Sequence, residues 1–553
     1  MTRSKRVLVV GGVAGGASAA ARLRRLDETA EIVVFDRGPY VSFANCGLPY
    51  YVGNVIEEER KLLVASADLF RDRFRIDVRT LHEVTAIDRV GKTVTVKSLG
   101  EGTVTVERYD VLVLAPGARA IVPPVPGIDL PGIFSVRTIP DSRRVRAWLT
   151  DKSAASALIV GGGFIGLEMA ENVAHRGLAV TIVEKSEQLM PPLDAEMALP
   201  VKRQLEAHGV TVRLGDGVTG FTLEDGKLTA LTERGARLAT DLVILAIGVR
   251  PEVALARESG LAIGASGGIV VDESMRTSDP SIYAVGDAVE TVDVVTGARQ
   301  VVPLAGPANR QGRAAADAVA GRPTRFRGVQ GTSVCGAFGI VIASTGASEK
   351  ALVRAGITDF EKVYLHPGHH VGYYPGARPI HLKLLFRPSD GRVLGAQAIG
   401  EEGVEKRIDV IAMAIQLGGT VHDLGEAELC YAPQFGAAKD PVNLAGFIAE
   451  NSRNGDMPLA HFADGMPALL LDVREAAEVA AEGLPGATHI PLHELRRRLD
   501  ELPRDTPIHV CCAVGQRAYY AVRVLRQNGF DARQLSGGIS TFATLAPRPE
   551  RFR

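Results

Sequence analysis

One cysteine stands apart in this 553-residue chain. Cys46 lies in the run YVSFANCGLPYY, residues 40–51, and is followed by Gly47 and Pro49. Proline suits the first turn of a helix. A thiol at a helix N-terminus has its thiolate stabilised by the helix dipole, an arrangement that reactive cysteines use. Cys46 is therefore the candidate nucleophile. No second cysteine lies within ten residues on either side, and Ser42 stands where a partner thiol would be. A local disulfide cannot form, so a redox cycle at Cys46 has to run through a thiol, a sulfenate or a mixed disulfide with a small thiol.

Two other stretches are built to hold phosphate. Residues 7–10 (VLVV) read as a buried strand, glycines and small residues fill 11–17, and the helix-like AAARLRRL follows. A second apolar strand, EIVVFD, then ends at Asp36. This order gives a βαβ dinucleotide fold: glycines admit a pyrophosphate, the helix N-terminus offers N–H groups, and the acid accepts from a ribose hydroxyl. Gly11 and Gly16 fit the G-x-G-x-x-G pattern, while Val13 occupies its middle position. The unit recurs after the strand ALIV (157–160), where GGGFIG fits fully through Gly161, Gly163 and Gly166, and VTIVEK ends its strand at Glu184. Two such loops in one chain point to two dinucleotides in an electron-transfer enzyme. The glycines do not say which dinucleotide goes where. Glu184 favours a free 2′-hydroxyl and hence NADH, because a carboxylate repels the 2′-phosphate of NADPH; Lys185 beside it works against that preference.

The length requires several domains, since one compact domain usually takes about 100–200 residues. Hydrophobic residues (46%) and charged residues (23%) are in globular proportion, so large cores can be buried. Lys plus Arg (63) balance Asp plus Glu (64), which argues against nucleic acid or an anionic membrane as a partner. The five cysteines, at 46, 335, 430, 511 and 512, are too few and scattered for a disulfide framework, which favours a reducing, cytoplasmic setting. The opening MTRSKRVLVVGG imitates a signal peptide, but its glycines fall where a strand should turn into a helix. No stretch is apolar for the ~18 residues of a membrane span.

A third segment, TSDPSIYAVGDA (277–288), ends in Gly286-Asp287 and resembles the second flavin motif of the pyridine nucleotide-disulfide reductases. SFANCGLPYY with GGVAGG narrows the resemblance to their single-cysteine branch, and within it to the coenzyme A-disulfide reductases. PLAGPANRQGRAAAD (303–317), GYYPGARPIHLK (372–383), GEEGVEKRIDVIAMAI (400–415) and YAPQFGAAKDPVN (431–443) agree with it. The resemblance implies an α/β chain of glutathione reductase type. A discontinuous FAD domain (1–118 and 245–325) encloses an NAD(P)H domain (119–244), and an α+β dimerisation domain (326–449) follows. FAD would be held by Gly11, Gly12, Ala14, Gly15, Gly16, Asp36, Ala115, Gly286 and Asp287, and NADH or NADPH by Gly161, Gly163, Gly166 and Glu184. Tyr373 and Tyr431 would reach the cysteine of the other subunit in a homodimer with shared active sites, where a phenol near the sulfur acts as a general acid. Coenzyme A needs cations for its phosphates. Ser18, Arg22 and Arg25 share one helix face, and the resemblance implies that they contact coenzyme A together with Ser42, Asn45, Asn309 and Lys439. No metal is implied.

After a polar linker (450–465), residues 466–553 resemble a single rhodanese domain through LLLDVRE, LPGATHIPLHEL, IHVCCAVGQRAYYAVRVL and LSGG. Rhodaneses place a nucleophilic cysteine at the start of a short loop of converging N–H groups that closes with an arginine. Cys512 and Arg517 have that spacing, and Cys511 reads as a packing residue. Ala513 replaces an arginine common after the nucleophile. Together the resemblances imply NAD(P)H-dependent reduction, through FAD and Cys46, of coenzyme A disulfide, its persulfide or a polysulfide, with sulfane sulfur handled at Cys512. Two rivals share these features: an NADH oxidase or peroxidase cycling through a sulfenate, and a sulfurtransferase with a regulatory flavin half.

Overall fold

The computed structural model describes residues 4–462, 465 and 469–545. Residues 1–3 and 546–553, at the ends of the expected flavin and rhodanese domains, lie outside that range. The chain divides into two compact units. One holds the described residues up to Glu187 together with Gly209–Val329; the other holds Gln188–His208 together with the described residues from Gln330 onward.

The first unit carries two parallel sheets of the same design. In one, β1 (Arg6–Val10) pairs with β2 (Glu31–Asp36) on one side, Val10 opposite Phe35, and with Val111–Leu114 on the other. Asp77–Thr80 and Ile282–Ala284 form the edges. The strand β1 is an unbroken apolar run because helices cover both faces of a parallel sheet, and Val7 and Leu8 are fully buried. Between β1 and β2 runs helix α1 (Ala14–Leu26). The other sheet centres on Ser156–Val160, flanked by Ala179–Glu184 and Leu242–Leu245, with the helix Phe164–His175 in the crossover. The chain leaves the first sheet after Leu114, builds the second, and returns to supply Ile282–Ala284. The two crossings pair with each other, Val249 opposite Ala120.

In the second unit a five-stranded antiparallel sheet, with Val393–Gly400 at its centre, packs against the helix Val404–Leu417. The segment 188–208, assigned by its sequence position to the nicotinamide domain, belongs to this unit. Lys383, fully buried on the sheet, bonds Asp194 (2.8 Å), Glu196 and Glu349. Three carboxylates that close would suit a cation, and the Lys383 ammonium fills that role. A parallel sheet of five short strands, with Ile508–Cys511 at its centre, forms the C-terminal part. Described residues of the expected linker 450–465 carry regular structure. The helix Pro441–Arg453 runs into it, and Leu459–Ala460 pairs with Ala532–Leu535. No described helix is long and apolar enough to cross a membrane.

Candidate active site

The two glycine loops repeat the same backbone construction. Gly11 N–H donates to Phe35 O and Gly161 N–H to Val183 O, each at 2.8 Å, so each loop is tied to the neighbouring strand. A Cβ on Gly11 would lie 2.1 Å from Ala115 O, and one on Gly161 would lie 2.4 Å from Ala246 O. Gly16 and Gly166 would drive a Cβ to 1.9 and 2.1 Å from the carbonyls of Gly11 and Gly161. These four glycines are required by the fold itself, where helix meets strand. The middle position behaves differently. Gly163 has open space where a Cβ would stand, and its counterpart Val13 has a negative φ. The middle position therefore does not call on the left-handed backbone that favours glycine.

Each loop closes on its acid in the same way. Gly12 N–H donates to Asp36 Oδ2 at 2.8 Å, and Gly162 N–H donates to Glu184 Oε2 at 2.7 Å. Burial raises the Asp36 carboxyl, and N–H bonds from Gly12 and Gly38 oppose that rise. Lys185 does not neutralise Glu184: its ammonium lies 2.8 Å from Glu233.

A cavity of about 1270 Å³ opens beside the first loop. Gly11, Ala14, Gly15, Asp36, Ala115, Gly286 and Asp287 line it, together with Ser42, Asn45 and Cys46 at one flank. It exceeds the roughly 300–1,000 Å³ of an ordinary small-molecule site, and an elongated FAD with a second ligand at the sulfur fits its size. Gly12 and Gly16 shape the loop from behind. Here α1 meets the helix Ala305–Val319 at close range, since a Cβ on Gly312 would come within 2.3 Å of Gly15 O. That approach brings Ser18 Oγ–H onto Asn309 Oδ1.

Ser18, Arg25 and Asn309 line the cavity as a polar rim, but Arg22 does not. Arg22 turns to Asp317 and donates to it at 2.7 and 3.0 Å, because Asp317 lies on the facing helix. The rim gains Arg313 in its place. Arg313 stands one turn beyond Asn309, and that helical spacing was the signal available in the sequence.

Cys46 sits in the turn Asn45–Gly47, and the helix behind it, α2 (Leu48–Val52), has only five residues. So short a helix has little dipole to offer. Although the side chain is exposed toward the cavity, the surrounding protein withholds water, and this desolvation pushes the thiol upward. Glu168 adds to the rise and Arg137 opposes it. The thiolate stabilisation inferred from a helix start is thus reversed in this structure. Ser42 holds φ at 47°, a strained conformation for a serine, with its N–H on Gly12 O.

Two residues beside this site escaped the motif reading. Arg137 donates to Asp287 at 2.7 Å and to Ala118 O at 3.1 Å, fixing the acid of the flavin motif. Glu168, four residues into the helix after the second loop, accepts from Tyr50 O–H at 3.4 Å. Burial pushes Glu168 up to about 7; the Tyr50 bond opposes the rise and Glu171 reinforces it. Position 168 lies two residues after the GGGFIG motif, but its neighbour Tyr50 arrives only through packing of α2 on that helix.

In the second unit Tyr373 and Tyr431 meet hydroxyl to hydroxyl at 2.7 Å, and Tyr373 is 74% exposed. Tyr374 and Phe435, near them in the sequence, are exposed as well, and Lys439 is exposed just before the helix Pro441–Arg453. In the C-terminal sheet Cys511 and Cys512 face opposite cores. Burial, with Asp472 adding to it, raises the Cys511 thiol strongly. Cys512 Sγ, 1% exposed, accepts N–H bonds from Gly515 (3.2 Å) and Ala518 (3.4 Å), so amides do converge on it. Arg517 is gripped by Glu478 through two bonds of 2.6 and 2.7 Å, and Arg517 holds the Glu478 carboxyl down at about 2.

Residues 5–312 match the pyridine nucleotide-disulphide oxidoreductases, 333–440 match the dimerisation domain of those proteins, and 459–545 match the rhodanese-like domain. The coenzyme A disulfide reductase of Staphylococcus epidermidis is 35% identical over 446 residues, covering 80% of this chain and all of that protein. The structure of reduced Bacillus anthracis CoADR-RHD is 45% identical and covers 99% of both chains, with a TM-score of 0.96. The structure of an NAD-dependent persulfide reductase from A. fulgidus is 38% identical, covers 97% of this chain and 100% of that one, and has a TM-score of 0.90.

Proposed function

The chain belongs to the pyridine nucleotide-disulphide oxidoreductase family, and from that premise we propose that it reduces the disulfide or persulfide of coenzyme A with NADH or NADPH, using Cys46 as its one redox thiol. FAD, when bound, supplies a two-electron relay between nicotinamide and sulfur. One observation carries the reading: a single cavity holds a dinucleotide loop, a lone thiol and a rim of Ser18, Arg25, Asn309 and Arg313 suited to phosphates.

Gly11, Gly12, Ala14, Gly15 and Gly16 would cradle the FAD pyrophosphate, with Asp36 at its ribose and Asp287, steadied by Arg137, at its sugar chain. Gly161, Gly163, Gly166 and Glu184 would hold the nicotinamide dinucleotide. Cys46 is the only cysteine in its unit, so the thiol that accepts sulfur has to find its disulfide partner in the substrate. The Cys46 thiolate attacks one sulfur of coenzyme A disulfide, forming a mixed disulfide and expelling coenzyme A thiolate. Two electrons and two protons then return Cys46 and the second coenzyme A as thiols. With coenzyme A persulfide the same two electrons and two protons yield coenzyme A thiol and hydrogen sulfide. Glu168, raised to about 7, suits the holding of a proton beside this centre.

The dimerisation domain supports a homodimer. The exposed pair Tyr373 and Tyr431 suits that role, with these tyrosines and Lys439 serving the partner subunit's thiol and its coenzyme A. In the rhodanese-like domain Cys512 would carry sulfane sulfur, stabilised by its amides.

The test is anaerobic steady-state turnover with coenzyme A disulfide, coenzyme A persulfide and polysulfide, in wild type and Cys46→Ser. Loss of turnover in the variant by about a thousandfold or more, in keeping with the large loss that follows removal of a nucleophile, supports the proposal. Oxygen consumption without thiol or sulfide release would assign the chain to an oxidase.

A further inference from the structure

Resting on the reading of the second glycine loop as the nicotinamide-dinucleotide site, we infer that Glu233 sets a preference for NADH over NADPH by occupying Lys185. The strand Ala179–Glu184 delivers the Glu184 carboxylate to the loop, where it accepts N–H bonds from Gly162 (2.7 Å) and Ser186 (2.8 Å). A 2′-phosphate arriving at that strand end meets a negative charge, and it can be held only if cations nearby are free to receive it.

Three cations stand in the segments tied to that end. Gly215 N–H donates to Ser186 O, Asp216 N–H to Glu184 O and Glu233 N–H to Gly217 O, which knits residues 184–187, 213–217 and 232–235 together. Within this patch Lys185 pairs with Glu233 at 2.8 Å, Arg234 with Glu187 at 3.3 Å and Arg213 with Asp216 at 3.4 Å. Every one of these cations is matched by an acid, and Glu184 is the charge left over.

Lys185 directly follows Glu184, so it is the cation best placed to reach a 2′-phosphate. Glu233 lies on the turn after Lys227–Thr232, and this side chain takes up the ammonium. The bond raises Lys185 and lowers Glu233. Both side chains are exposed, and an exposed pair contributes little to stability. The pair can be broken without disturbing the fold, so its consequence is the charge presented to the ligand.

The experiment titrates FAD-loaded, full-length enzyme calorimetrically with 5′-AMP and with 2′,5′-ADP, and measures kcat/KM for NADH and NADPH alongside. In Glu233→Ala the affinity for 2′,5′-ADP relative to 5′-AMP should rise about fivefold, the scale of one exposed charge-assisted contact. The NADPH-to-NADH ratio of kcat/KM should move in the same direction. Adding Lys185→Ala should erase both gains. Ratios that do not move in Glu233→Ala would overturn the inference, as would gains that persist without Lys185. Absence of 5′-AMP binding in every variant would instead overturn the site assignment beneath it.

Discussion

At Cys46 two influences oppose each other: a single short helical turn behind the thiol, and a protein surround that denies its thiolate water. Burial prevails, with Glu168 adding to it. Alkylation of the FAD-free protein by iodoacetamide should therefore be slow at pH 7 and rise only above the usual thiol range. Glu168→Gln should speed alkylation at pH 8, because the thiolate loses a neighbouring negative charge. Glu168 also leaves a mark on stability. Its folded value of about 7 lies above the ordinary 4.5. The folded chain thus binds the extra proton between those values, and this contribution to stability is full below pH 4.5 and lost as pH rises through 7. Urea unfolding of Glu168→Gln should show a smaller fall in stability between pH 5 and pH 8 than wild type does. At this scale the sequence revealed the thiol and both acids of the glycine units, because motif spacing is local. It could not reveal Arg137 on Asp287, Tyr50 on Glu168, or the turn of Arg22 toward Asp317. Those pairings form between segments far apart in the chain.

The glycine loops separate what the fold demands from what a ligand demands. Gly16 has no room for a side chain, since its Cβ would lie 1.9 Å from the Gly11 carbonyl. Gly16→Ala should destabilise by about 3 kcal/mol or more, as forced overpacking of backbone does, with loss of bound FAD seen in the visible spectrum. A Cβ on Gly163 would meet nothing within 4 Å. Gly163→Ala should leave stability within about 0.5 kcal/mol while raising the KM for NADH, measured by thermal melts and steady-state kinetics. Strands and loops were legible here because apolar runs and glycines obey short-range sterics. Less legible was the role of 188–208, whose helix joins the second unit through the buried Lys383. A lysine inside a strand pattern carries no sign that three carboxylates will enclose it.

For the whole molecule, the claim is that a thiol in one subunit works with tyrosines of another. Sedimentation should give twice the chain mass of 58.7 kDa. Cys46→Ser chains and Tyr373→Phe/Tyr431→Phe chains should each be impaired, and refolding them together should recover about a quarter of wild-type turnover. Half of the dimers would then be mixed, with one complete site of two. Failure to recover would place each site within one chain. The rhodanese-like part was readable as a unit from its loop and strands. Its Glu478–Arg517 clasp was not, because the acid lies 39 residues before the arginine.

The most direct test follows one half-reaction. Enzyme reduced by one equivalent of NADH is mixed anaerobically with coenzyme A disulfide while flavin absorbance and free thiol are recorded. Wild type should regain oxidised flavin and release two coenzyme A thiols per flavin, and Cys46→Ser should stay reduced. Re-oxidation of Cys46→Ser at the wild-type rate would contradict the account.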